Sequence, residues 1–342
     1  MTLVTDKSYF RRQAIGSGSN QYLLVQWLDL FFAQCPTWTP ILPFVQQGLA
    51  YSLEMPLPFS VVPPPLPDGD KASRYTAIFF SRIHPVFPVL ELHSFTQSLA
   101  DLANKLSRQP ETMESQDYPL LACAYAVFSA AADEEASSIS ADGTHYLQAA
   151  YSLYAHLVAA PYLASVQALL LLSLILRNRS KDGASWSSLG QAICIAQSLG
   201  LHRHVLYTMS TQVSLVTSRA DSPASPTAAH PTDGDLNSRI WWTAYTLERS
   251  VALETGRPSL IREEECDQII PNSLSAPLGS GISFDYFRML ILLAQIKGRA
   301  IDHLYGCKKP RRSVRALLFE MGRIDRALVD WADSFRLQFG RC

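Results

Sequence analysis

The chain has 342 residues, 48% of them hydrophobic and 17% charged, with a formal net charge of −1. That length and apolar content supply a core for one large or two ordinary domains, and the near-neutral balance excludes the basic footprint of a nucleic-acid-binding surface. Six cysteines, at 35, 123, 194, 266, 307 and 342, contain no CxxC pair. This excludes a disulfide framework and a zinc cluster, and the cysteines read as free thiols in a reducing compartment.

Met1 to Asn20 carries no apolar run of signal-peptide type, so the chain reads as intracellular. Arg12 to Asn20 is a short Gly/Ser loop. Gly16-Ser17-Gly18 has the start of a phosphate-binding loop, but Gln21 replaces the third glycine and no strand precedes it, so it reads as a plain loop. A helix is predicted from Gln21 to Gln34, with Leu24, Trp27, Leu28 and Phe31 on one face. Glu54 to Asp70 is Pro-rich and predicted to be a linker or a surface-hugging loop.

Pro85 and Pro88 should end a helix near Ile83, with Phe87 packing the corner. His84, alone beside two prolines, reads as structural rather than as a ligand or base. Helical stretches follow at Pro119 to Ala132 and Thr144 to Ala159. Ala159 to Leu176 has no charge and approaches the length of a membrane span, but Pro161, Ser165, Gln167 and Ser173 favour a buried core helix. Gly200, His202 and Arg203 suit a helix C-terminus. His202 and His204 are two residues apart, so they face apart on a helix or a strand and do not form a metal site.

Residues 206–234 are rich in Ser, Thr and Pro and read as a disordered insertion. Leu236, Ile240, Ala244, Leu247 and Val251 then repeat at helical spacing, with Trp241, Trp242 and Tyr245 off that stripe. A helix apolar over so much of its girth belongs in a core. Asp235 is its expected N-cap, Gly256 its left-handed C-cap, and Pro258 prevents continuation. Asn272 to Ser283 reads as a loop. Apolar periodicity returns from Phe284 to Tyr305 and from Ser313 to Phe339, the latter through Leu317, Ile324, Leu328, Trp331 and Phe335. Between them, Lys308, Lys309, Arg311 and Arg312, with Arg315 beyond, read either as a nuclear localisation signal or as a solvated loop beside a helix end.

Several of these residues resemble a known family. Arg239-Ile240-Trp241-Trp242, Tyr245, Leu247-Glu248-Arg249, Gly256-Arg257-Pro258, Asp267 and Pro271 resemble the signature of the fungal-specific transcription factor domain. That domain is the all-helical middle homology region usually found downstream of a binuclear zinc cluster. Glu248 stands where the family often has Asp. His84-Pro85-Val86-Phe87-Pro88, Val166 to Leu171, and Trp186, Gly190, Ala192, Ala196 and Leu199 to Arg203 are similar to the family in the same order.

The resemblance implies an all-α chain, a large irregular helical domain with long Pro/Ser-rich loops. Residues 1–70 would form an N-terminal helical segment and linker, and residues 71–342 the regulatory domain. Arg239, Trp241, Trp242, Gly256, Arg257 and Pro258 would be its structural signature. The implied function is a nuclear regulator of a metabolic, for example secondary-metabolite, gene cluster. It would act through transcriptional partner proteins, reach promoter DNA indirectly, and respond to a small-molecule inducer, with no membrane association. No cofactor is expected, because the family's zinc cluster is missing from this sequence. Its coiled-coil segment is missing too, which implies either recruitment by a partner or a longer gene that supplies the DNA contact.

Two other functions fit parts of the sequence. Glu263, Glu264 and Asp267 have the spacing of a Mg²⁺-binding prenyl-diphosphate enzyme. Asn104, Ser107 and Glu111 imitate a second metal motif, but they precede the acidic cluster and Pro110 breaks the helix they would need. A non-catalytic interaction scaffold is the other alternative. No GxSxG, HExxH or repeated Cys/His spacing offers further chemistry, and no catalytic residue is assigned.

Overall fold

The computed structural model describes residues 10–13, 20–35, 37–41, 50–53, 63–108, 113–159, 161–204, 232–271, 276–278, 282–305 and 313–339. The described part is helical apart from two short antiparallel ribbons. One ribbon pairs β1 (Phe10–Gln13) with β2 (Ala50–Leu53), and helix α1 (Asn20–Phe31) lies between them in sequence. The other pairs β3 (Ala276–Leu278) with β4 (Ile282–Phe284), in the segment expected to be a loop. Leu24, Trp27 and Phe31 on α1 are exposed.

Capping side chains set the helix starts, in places where periodicity alone puts them late. Asp68 Oδ1 accepts from the Lys71 amide at 2.8 Å, so α2 (Gly69–Ile78) begins inside the expected linker. It continues as a wider turn over Phe79–Ile83 and stops there, as the prolines require. Helix α3 (Leu92–Arg108) follows, then α4 (Asp117–Ala136). Ser140 Oγ accepts from Gly143 N at 2.8 Å and starts α5 (Ala141–Ser152) three residues earlier than expected. A break at Leu153 separates α6 (Tyr154–Ala159) from it. Then come α7 (Leu163–Asn178) and α8 (Asp182–Ser198).

The core is built around α4 and α7, which are apolar on every side and pack directly on one another. α2, α3 and α5 cover α4, while α8 lies along α7. The polar residues of α7 are matched inside the core. Gln167 Nε2 donates to Val89 O at 2.6 Å, and Ser173 and Ser185 exchange hydroxyl-to-carbonyl bonds of 3.0 and 2.8 Å across the α7–α8 contact. Among the described residues no helix is long and apolar enough to cross a membrane.

Helix α9 (Thr232–Thr255) packs on α8 and on α10 (Tyr286–Ala300), which runs on as a wide turn over Ile301–Tyr305. The last helix, α11 (Val314–Phe339), leans on α10, where Trp331 Nε1 donates to Met289 O at 2.9 Å. Two expectations for α9 are corrected. The helix starts at Thr232, and Asp235 is inside its first turn rather than at the cap. There Asp235 Oδ2 lies 3.1 Å from Arg239 Nε one turn on, and this pairing uses the carboxylate in place of capping. The rest of the expected insertion, residues 206–231, lies outside the described residues.

Gly143 has a steric role. A Cβ added there would fall 2.0 Å from Asp133 Oδ1, a side chain already fixed by Ser140 and Arg179. Gly→Ala inside a helix ordinarily stabilises by about 0.5–1 kcal/mol. Here the clash decides the sign, and Gly143→Ala is expected to lower stability by about 1–3 kcal/mol. The midpoint of urea denaturation measures it, and a more stable variant would show that Asp133 can move aside.

Candidate functional site

The site is a buried clamp that ties the segment after α9 to the helix itself. Ile240, Ala244, Leu247 and Val251 are buried, as the stripe predicts, while Leu236 is half-buried; Trp241, off the stripe, is buried too, and so are Glu248 (0% exposed) and Arg249 (1%). Two adjacent charges removed from water must be matched locally. Arg249 Nη2 donates to Ile261 O at 3.1 Å and to Glu263 Oε1 at 3.2 Å, and Nη1 donates to Ser259 Oγ. Its guanidinium carbon lies 4.9 Å from the Tyr245 ring centre, and the Tyr245 hydroxyl donates to the same Glu263 oxygen. Glu248 Oε1 accepts from the Leu260 amide at 2.7 Å, and Oε2 faces Arg249 Nη1 at 3.4 Å.

The electrostatics follow from burial. Removal from water raises the Glu248 pKa above the usual carboxylate range, although the Arg249 charge opposes it. Burial pulls Arg249 down, but the Tyr245 bond and the charges of Glu248 and Glu263 prevail and keep it cationic. Burial likewise raises Tyr245, with Glu263 adding to the effect. The clamp leaves no room on the α10 side, where a Cβ on Gly298 would lie 3.0 Å from Arg249 Nε and 3.1 Å from Glu263 Oε1.

The remaining signature residues extend this strap. Gly256 has a φ of 67°, the left-handed conformation that closes α9, and the Arg257 amide donates back to Ala252 O at 3.1 Å. Arg257 Nη1 donates to Asp182 O at 2.9 Å, and its guanidinium lies over the Trp186 ring at 5.6 Å, so it joins α9 to the start of α8. Pro258 is exposed at the turn. Further on, Ser238 Oγ and Trp242 Nε1 both donate to Ile269 O, at 2.5 and 2.7 Å. Trp241 is buried against His202, ring centres 5.8 Å apart.

The corner at the end of α8 is tied to the same strap. Gly200 has a φ of 78°, Leu201 O accepts from Gln268 Nε2 at 2.8 Å, and Asp267 Oδ1 accepts from Arg203 Nε at 3.1 Å and His204 N at 2.9 Å. His84 closes the Pro85–Pro88 elbow with a 2.8 Å bond from Nε2 to Leu90 O and lies on Phe80, as a structural histidine would.

The acidic cluster does not form a metal site. Glu263–Glu265 is a single 3-10 turn, not part of a helix that carries Glu263, Glu264 and Asp267 on one face. Glu263 turns to Tyr245 and Arg249, while Asp267 turns to Arg203 and His204. Among the described residues no group of three or more His, Cys, Asp or Glu converges for a metal. Lys308, Lys309, Arg311 and Arg312, Gly16-Ser17-Gly18 and Glu111 lie outside the described residues. Sequence reasoning missed the partnership of Glu248, Arg249, Ser259, Glu263 and Gly298. The signal available was a charged pair inside an otherwise apolar helix.

Removing one partner of a buried charge pair strands the other. Arg249→Ala is expected to destabilise the chain by about 3–5 kcal/mol. The double variant Glu248→Leu with Arg249→Met should lose less than the sum of its two single changes. Urea denaturation of the four proteins decides it, and simple additivity would show that the two charges do not act together.

The elbow gives a pH dependence. Burial holds His84 below its ordinary value, aided by the charge of Arg239 and opposed by the Leu90 bond. The unfolded chain takes up that proton near pH ~6.5 while the folded chain resists. Stability from His84 is therefore present above that pH and is lost as pH falls toward the depressed folded value. His84→Gln should be less stable than the natural chain at pH 7.5, with the gap narrowing at pH 5.5. A gap that stays constant between the two would remove His84 from the pH response.

Comparison with known proteins agrees with the family resemblance. The fungal specific transcription factor domain matches residues 76–277, from α2 to β3. The chain is 29% identical over 184 residues to an ABC-transporter-regulating transcription factor of Aspergillus fumigatus, covering 52% of this chain and 18% of that protein. It is 24% identical over 269 residues to cutinase transcription factor 1 alpha of Fusarium vanettenii, covering 75% of this chain and 26% of that one. The matched region is thus a minor part of the length of these relatives. No solved structure gives a significant match. With the matched region spanning more than half its length, the chain belongs to the family of the fungal-specific transcription factor domain.

Proposed function

We propose that this chain is the regulatory domain of a fungal transcriptional regulator that works in the nucleus on a limited set of metabolic genes. The observation that carries the reading is the family match over residues 76–277, which contains the whole strap from Gly256 to Pro271. The relatives named above are transcription factors, one regulating an ABC transporter and one named for cutinase, which favours regulation of metabolic or export genes. Contact with promoter DNA is assigned to a partner protein or to a separate zinc-cluster segment, since the cysteines of this sequence lack the close spacing a zinc cluster needs. The basic residues Lys308, Lys309, Arg311 and Arg312 are the proposed nuclear address. A regulator rather than an enzyme is the reading for the chain, because Glu263 and Asp267 are engaged by different partners within the clamp and strap.

Overexpression followed by transcript profiling tests the proposal. The expected result is a change in a small set of transcripts, clustered in the genome, that Arg249→Ala abolishes. No change in any transcript would overturn it.

A further inference from the structure

The turn from α7 to α8 builds the polar end of a groove far in sequence from the clamp. Arg179 caps α7, Ser180 takes the left-handed conformation with a φ of 56°, and Lys181 stands at the N-cap of α8 with no side-chain capping bond. Leu147 and Tyr151 on α5, with Leu176 on α7, form apolar walls, and Ala184 in the first turn of α8 completes a groove of about 620 Å³. That size is within the usual range of small-molecule pockets, ~300–1,000 Å³.

The charge at one end selects the ligand. The Arg179 side chain is 9% exposed, and its terminal nitrogens donate to Thr144 Oγ1 at 2.8 Å and Asp133 Oδ2 at 2.6 Å. These bonds fix the guanidinium while its third donor, Nε, is buried without an acceptor. The other Asp133 oxygen, Oδ1, accepts from the Ser140 amide and hydroxyl, so that carboxylate is fully used inside the fold. Lys181 is exposed at the groove and has no ion pair among the described residues. The first-turn amides of α8 add the positive end of a 17-residue helix. Asp182 does not line the groove.

We propose that this groove binds an amphipathic carboxylate. Its chain lies on Leu147, Tyr151 and Leu176, and its head group is held by Lys181 at the start of α8, beside the Arg179–Asp133 ion pair. A neutral head group forgoes the charge-assisted contact with Lys181, and a cationic one is repelled. The site stands whether or not the chain regulates transcription.

Titration calorimetry on the purified full chain tests it, using dodecanoate below its micelle concentration, with dodecanol and dodecylammonium as head-group controls. The expected result is one saturable dodecanoate site per chain, tighter than either control. Lys181→Glu should weaken binding by about tenfold or more, the effect of reversing a charge-assisted contact, and Lys181→Gln by less. Leu147→Trp, which fills the apolar wall, should abolish binding while the circular dichroism spectrum stays that of the natural chain. Absence of saturable binding to the folded natural chain overturns the proposal, as does equal affinity for dodecanol. Binding unchanged in both Lys181 variants also overturns it.

Discussion

Arg249 and Glu248 are adjacent in sequence and both lie out of reach of water, and that placement governs how the chain is arranged after α9. The net cost of burying an ion is several kcal/mol even after relaxation, so neither residue is tolerable without local partners. The matching does not come from another helix. It comes from the Ser259 hydroxyl, the Leu260 amide, the Ile261 carbonyl and Glu263, a segment with no regular structure of its own beyond one 3-10 turn. The pair thus adds specificity more than stability: it dictates which carbonyl and which amide lie against α9, and so fixes the register of the strap.

A fixed register at Ser259–Glu263 has consequences at both ends of the strap. Upstream, the left-handed Gly256 reverses the chain so that Arg257 can reach the start of α8 and lie over Trp186. Downstream, Asp267, Gln268 and Ile269 meet Arg203, Leu201, Ser238 and Trp242 in turn. Trp242 is conspicuous in the sequence for its size, yet its directional contribution is a single indole N–H to a strap carbonyl. Trp241 fills the core instead. Neighbouring tryptophans with different tasks follow from the ~100° step of a helix, which turns one inward and its neighbour toward the strap.

The fold class was legible because α4, α7 and α9 are long and apolar on several sides, and such segments have few alternatives to a helical core. Gly256 and Gly200 were legible as helix terminators because left-handed backbone strongly favours glycine. Helix starts were less so. Asp68 and Ser140 cap helices from inside stretches dominated by proline or by polar residues, and Asp235 looks like a cap but is drawn to Arg239 by an i,i+4 ion pair. The clamp was the least legible feature. Glu263 beside Glu264 and Asp267 has the pattern of a metal site, and only the three-dimensional path of the strap separates those carboxylates. Gly298 carried no local signal at all, since its constraint is the guanidinium of a residue 49 positions earlier.

Gly298 also bears on where the structural unit ends. The family match stops at residue 277, before α10 begins at Tyr286. Yet α10 supplies the wall of the clamp: a side chain at 298 would meet both Arg249 and Glu263, and Lys297 Nζ donates to Ser250 Oγ at 2.9 Å. A buried ion pair open on that side would face water rather than protein, which would relax the demand that holds the strap in register. The clamp is therefore complete only with α10 in place, and α10 in turn carries α11 through the Trp331 to Met289 bond. The elements beyond the matched region are part of the same energetic unit as the signature residues within it, because the charge that organises the strap lies at the contact between them.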